Sequence, residues 1–163
     1  MELEPPHGYL AAAELLSDLR ARDELSPYLL PDVWRRRDQI SAIAALSQAA
    51  GVCVAVGLSD TVLPAAGQQK QGGLVRVGLA VYVFQPAEGT GILPPDAELR
   101  ERVWLTVLKY LSAWSYTCGG KSIKAYLTGT SEIDLATLNP DFARQVSADA
   151  VIAEIPLMLT TGS

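Results

Sequence analysis

The run LVRVGLAVYVF, Leu74 to Phe84, constrains this chain more than any other segment. In an extended chain Val75, Val77, Leu79, Val81 and Val83 share one face, and Arg76, Ala80, Tyr82 and Phe84 share the other. A strand with one wholly apolar face and a largely apolar second one needs cover on both sides, which predicts a central place in a sheet. Val52 to Val56 is a shorter apolar, β-branched run, and it too is expected to be a buried strand. A third extended segment, Ala150 to Leu159, carries Glu154 in an otherwise apolar face and Pro156, which has no N–H to give a ladder; both devices predict an edge strand or a bulge. Ser122 to Thr128 is the remaining extended segment.

Helical spacing marks three further stretches. Leu10, Ala13, Leu16 and Leu19 form one apolar stripe, starting from Tyr9, with Arg20 and Arg22 at the C-terminal end. A second helix is expected from an Asp32 cap to about Ala50, stopped by Gly51 and burying Val33, Ile40, Ile43, Ala44 and Leu46. Arg35, Arg36 and Arg37 fall in its first turns, where cations oppose the helix dipole, and read as a solvated face. Asp96 is expected to cap a third helix running to about Ser115, with a stripe of Leu99, Val103, Val107, Tyr110, Leu111 and Trp114. Gly119 and Gly120 read as a turn, and Leu135 to Gln145 as holding one short helical turn. Ser59 to Gly73 and Glu88 to Pro95 are long connections rich in Gly, Pro and Gln. Together these elements predict a single α+β domain, a mixed or antiparallel sheet packed against helices. Residues 1–31 form an N-terminal extension with a helix, and 32–163 the main body.

Composition narrows the chemistry. Of the 163 residues 49% are hydrophobic and 19% charged, below the roughly 25% of ordinary soluble domains. The shortage suggests surface covered by partner subunits. A net charge of −5 without a basic tract gives no footprint for nucleic-acid binding. No apolar stretch is long enough for a transmembrane helix, and the acidic start at Glu2 and Glu4 is unlike a secretory leader. Cys53 and Cys118 are the only cysteines, too few for a disulfide framework or a metal site, and fit a reducing, cytoplasmic compartment.

His7 is the sole histidine and stands in a Pro-containing leader expected to be loose. Nucleophilic catalysis by Ser or Cys needs a base, and His7 is poorly placed to serve as one. Asp60, Glu88, Glu132 and Asp134 lie in loops, where carboxylates are ordinarily solvated. The tract GGKS from Gly119 lacks the upstream glycine that a P-loop requires. Trp114 continues the apolar stripe of its helix and reads as core. Trp104, about 80° away on the wheel, sits at the stripe's margin and is a candidate subunit contact. Trp34, amid charges, reads as an interface residue or as packed under the arginines. No cofactor, metal or catalytic residue is expected from this inventory.

The order of elements over residues 32–161 resembles that of the tail terminator, or tail completion, proteins of long-tailed bacteriophages. The segments that carry the resemblance are LVRVGLAVYVFQP (Leu74 to Pro86), VLKYLSAW (Val107 to Trp114) and AVIAEIPLMLT (Ala150 to Thr160). It implies an α+β structural protein that forms a ring, typically a hexamer, caps the tail tube and meets the head–tail connector protein. Its partners would be further copies of itself, the tail tube protein and the connector. It would meet nucleic acid only as DNA passing through the lumen, and would touch no membrane. Its location would be the virion tail, assembled in the host cytoplasm. Candidate interface residues are then Asp60, Gln68, Gln69, Lys70, Trp104, Glu132, Asp134 and Glu154. The alternatives are another neck, head-completion or baseplate-side tail component, or, from a different class, a small enzyme or ligand-binding domain with a concave pocket.

Overall fold

The predicted central strand is central in the fold, and among the described residues only the strand Val146–Met158 equals it in length. In the computed structural model, which describes residues 3–35, 39–63, 74–87 and 96–158, strand β2 spans Leu74–Pro86 and lies between β1 (Cys53–Leu58) and β6 (Val146–Met158). β5 (Tyr126–Ile133) completes a four-stranded sheet of order β1-β2-β6-β5, in which every pairing is antiparallel. A separate hairpin pairs β3 (Ser115–Cys118) with β4 (Lys121–Lys124). Helices α1 (His7–Arg20), α2 (Ile40–Ala50), α3 (Ala97–Ser112) and α4 (Pro140–Gln145) make this a single-domain α+β arrangement.

The alternation of β2 divides the core in two. Val75, Leu79, Val81 and Val83 pack with α1, α3 and the hairpin, through Leu15, Leu19, Val107, Leu111 and Trp114. Ala80, Tyr82 and Phe84 pack on the other face with Trp34, Ile43 and Phe142. Each such side chain, fully buried, contributes roughly 1.5–3 kcal/mol. Trp34 meets Tyr82 and Phe84 edge to face, with centroids 4.7 and 5.2 Å away.

That aromatic contact explains a departure from the expected second helix. Residues 29–34 are extended and run parallel to β1, with Leu30 N–H donating to Val54 and Trp34 N–H to Val56, each at 2.8 Å. Burial of Trp34, 2% exposed, and cover for the β1 edge prevail over local helix propensity. The helix starts only at Ile40, after Gln39 in the left-handed region (φ 65°), and Asp32 does not cap it. Its expected stop holds: Gly51 is left-handed at φ 86°. Arg36, Arg37 and Asp38 lie outside the described residues, as do most of the long connections expected at 59–73 and 88–95.

β6 departs from expectation as well. It is central, not an edge, and the bulge lies in β5 between Leu127 and Gly129. Arg76 exchanges both backbone hydrogen bonds with Val62, at 2.8 and 3.0 Å, so its pairing with Pro156 uses no ladder bond. The missing proline N–H points past the first residue of β5, which pairs with Glu154. Glu154 in turn is neutralised by Arg76 at 3.4 Å. The expected segment Ser122 to Thr128 proves to be two strands in two sheets, broken at the buried Ala125. Two expected features hold: Asp96 caps α3, accepting from Leu99 N–H at 3.0 Å, and Gly119 and Gly120, at φ 57° and 76°, form the turn between β3 and β4.

The N-terminal helix is bound to the hairpin by polar contacts. Trp114 Nε1 donates to Asp18 at 2.8 Å, and Thr117 N–H donates to Glu14 at 3.0 Å. His7 is no part of a loose leader; it is the first residue of α1, with Nδ1 3.2 Å from the Tyr116 hydroxyl.

Candidate functional site

β5 closes the sheet on one side, and seven of its eight residues are exposed; only Ile133 is half-buried. One row of its backbone groups pairs with β6, and the other faces outward, the geometry by which a strand recruits another chain. The opposite edge differs: β1 is shielded by residues 29–34. The Thr-, Ser- and Gly-rich segment LTGTSE gives β5 no apolar face of its own. It therefore presents hydrogen-bonding capacity rather than greasy surface.

The two flanks of this edge carry most of the candidate residues that are described. On the flank under α3, Glu132 stands directly opposite Asp149 in the ladder, and Asp149 is ion-paired with Arg100. The Arg100 guanidinium lies 5.8 Å from the centre of the Trp104 ring. Trp104 and Glu132, far apart in sequence, thus stand at the two ends of one line of neighbours, in which Arg100 pairs with Asp149 and lies over the Trp104 ring. On the other flank Tyr126, 56% exposed, is the ladder partner of Glu154, itself held by Arg76. Gly78 also pairs with Glu154, and the Asp60 carbonyl lies so close over Gly78 that a Cβ there would collide with it. Asp60 and Glu154 therefore share one end of the sheet.

Asp134 stands beyond the end of β5, where its carboxylate accepts from Ala136 N–H at 3.0 Å and caps the turn Leu135–Thr137. It joins Glu132 in lining a cleft of about 400 Å³ against α4. Gln68, Gln69 and Lys70 lie outside the described residues. No protein-family model matches this chain, and no curated protein is similar to it.

Sequence reasoning missed Arg100, Asp149 and Tyr126. Arg100 was legible only as one of several charges on the exposed side of α3. Asp149 and Tyr126 acquire meaning from the β5–β6 register, which a sequence does not specify. Among the described residues no three His, Cys, Asp or Glu side chains are placed to share a metal ion, and no helix is long and apolar enough to cross a membrane. What the arrangement offers is a docking edge: open backbone groups between the Arg100–Asp149 pair on one flank and the Arg76–Glu154 pair on the other.

Proposed function

We propose that this chain is a structural assembly protein of a phage tail, a terminator-type subunit that closes into a ring, caps the tail tube and meets the head connector. The observation that carries the reading is the exposed β5 edge, flanked by Trp104 and Arg100 on one side and Tyr126 on the other. Arg, Trp and Tyr are the residue types that anchor protein interfaces. The antiparallel sheet with a long helix on one face also follows the order of elements that the resemblance rests on. In this reading the chain has no catalytic residue and no cofactor, and its partners are its own copies, the tube protein and the connector.

A ring needs a head-to-tail contact, so the β5 edge meets a different surface on the next copy. Pairing of β5 with β5 would be isologous and would stop at a dimer. Light scattering on the purified full chain, with electron microscopy of the chain mixed with tail tubes, tests the reading. Ring-sized particles, typically of six copies, seated on tube ends are expected. A monomer or closed dimer that leaves tube ends bare would overturn it.

A ligand-binding role is the second reading, favoured by a cleft of about 530 Å³ between the end of α1 and α3, lined in part by Arg22, Lys109, Tyr110 and Trp114. Arg22 lies 4.6 Å from the centre of the Tyr110 ring, which leaves the cleft partly filled by its own side chains.

A further inference from the structure

One cluster plays no part in that reading: the place where the first turn of α1 meets the β3–β4 hairpin. There His7 Nδ1 faces two groups, the Tyr116 hydroxyl at 3.2 Å and the Cys118 sulfur at 3.9 Å. The His7 and Tyr116 rings meet edge to face, 6.1 Å between centroids, which fixes the imidazole against the hairpin. His7 opens a helix of 14 residues, so Cys118 sits beside that helix's N-terminal end.

The surrounding charges come from each element packed on the sulfur. Lys121 of β4 stands directly across the hairpin from Cys118. Glu14 of α1 accepts from Thr117 N–H at 3.0 Å, one residue before Cys118. Tyr116 of β3 remains protonated: burial pushes its hydroxyl above the ordinary tyrosine range, and the charges of Cys118 and Glu14 push it further. Cys118 is half-buried, whereas Cys53 is fully enclosed, 0% exposed. A thiol with an imidazole nitrogen within reach, itself oriented by a third side chain, is the pairing by which a cysteine is activated as a nucleophile.

We propose that Cys118 is a thiol–disulfide exchange site that captures a low-molecular-weight disulfide, with His7 as the group that takes the thiol proton. The proton passes from Cys118 Sγ to His7 Nδ1, and the thiolate attacks one sulfur of the incoming disulfide. That disulfide's S–S bond breaks as the Cys118 S–S bond forms, and its other half leaves as a thiolate, which takes the proton back. The incoming disulfide is reduced as Cys118 is oxidised, so no further oxidant is needed.

The test uses the full chain with two probes, oxidised glutathione and dithiobis(nitrobenzoate), whose released thiolate is coloured. One thiol per folded chain should react, and peptide mass spectrometry should place the adduct on Cys118. His7→Gln removes the proton acceptor, and should slow the reaction at pH 7 by about tenfold or more and change the shape of the rate–pH curve. Tyr116→Phe keeps the ring, removes the competing donor at Nδ1 and should speed the reaction. Circular dichroism establishes that each variant is folded. Modification at Cys53, no glutathione adduct on the folded chain, or an H7Q rate and pH profile equal to the parent's would overturn the proposal. If H7Q does not fold, Y116F decides, and a rate no faster than the parent's counts against it.

Discussion

Burial pushes the Cys53 thiol up to about 12, from an ordinary value of 9.0, because its sulfur is sealed between β2 and the packed aromatic face. The consequence is a stability loss confined to alkaline solution. Between pH 9 and about 12 the unfolded chain releases this proton while the native chain keeps it, so stability falls by about 1.4 kcal/mol per pH unit. Cys53→Ala should flatten that limb in denaturant titrations between pH 8 and pH 11, while costing about 1 kcal/mol at neutral pH. Gly78 is a second single-residue constraint. Its φ is unremarkable, yet a Cβ would run into the Asp60 carbonyl, so Gly78→Ala should cost about 1–3 kcal/mol in the same titration. Cys53 was legible in the sequence as a buried cysteine because its apolar neighbours say so. The need for glycine at position 78 was not, because it arises from a backbone crossing set by the turn after β1. His7 was misjudged for a similar reason, since Tyr116 and Cys118 reach it only through the fold.

At the scale of elements, what periodicity and capping chemistry specify is what was legible. β2 and α3 declare themselves through alternation and through the Asp96 cap. α2 and β6 do not, because a tertiary partner decides each: the aromatic face for residues 29–34, and the Arg76–Glu154 pair for β6. The short α4 depends on its cap in the same way that α3 does. Asn139 accepts from the N–H groups of Asp141 and Phe142, at 2.9 and 3.2 Å, and so sets the turn that buries Phe142 at 0% exposure. Asn139→Ala should therefore lower stability by about 1 kcal/mol, and Asn139→Asp should restore most of it, both read from thermal unfolding. β5 was only half foreseen. Its Thr- and Gly-rich sequence reads as a weak strand, and its edge position follows from the arrival of β6 in the middle.

For the whole molecule, the same edge is the place where assembly should be most easily broken. Thr130→Lys puts a charge on the exposed strand, opposite Val151 and away from the Arg76–Glu154 pair. Rings should give way to monomer in light scattering, with the melting temperature of the isolated chain changed little; a ring of unchanged mass would move the contact to another surface. The candidate interface residues Glu132 and Trp104 could be picked out as exposed or marginal side chains, but their connection through Arg100 could not. It requires the registry of a strand that is made more than forty positions after the middle of β2. That order of synthesis has a further consequence. β2 leaves the ribosome early, and everything from residue 87 to residue 145 is made before its main partner β6 exists. At ~5–20 residues per second, this long apolar strand waits several seconds with one side unpaired. A product that stops short of Val146 would thus lack the middle of its sheet rather than a trimmed margin, and β5 would have nothing to join.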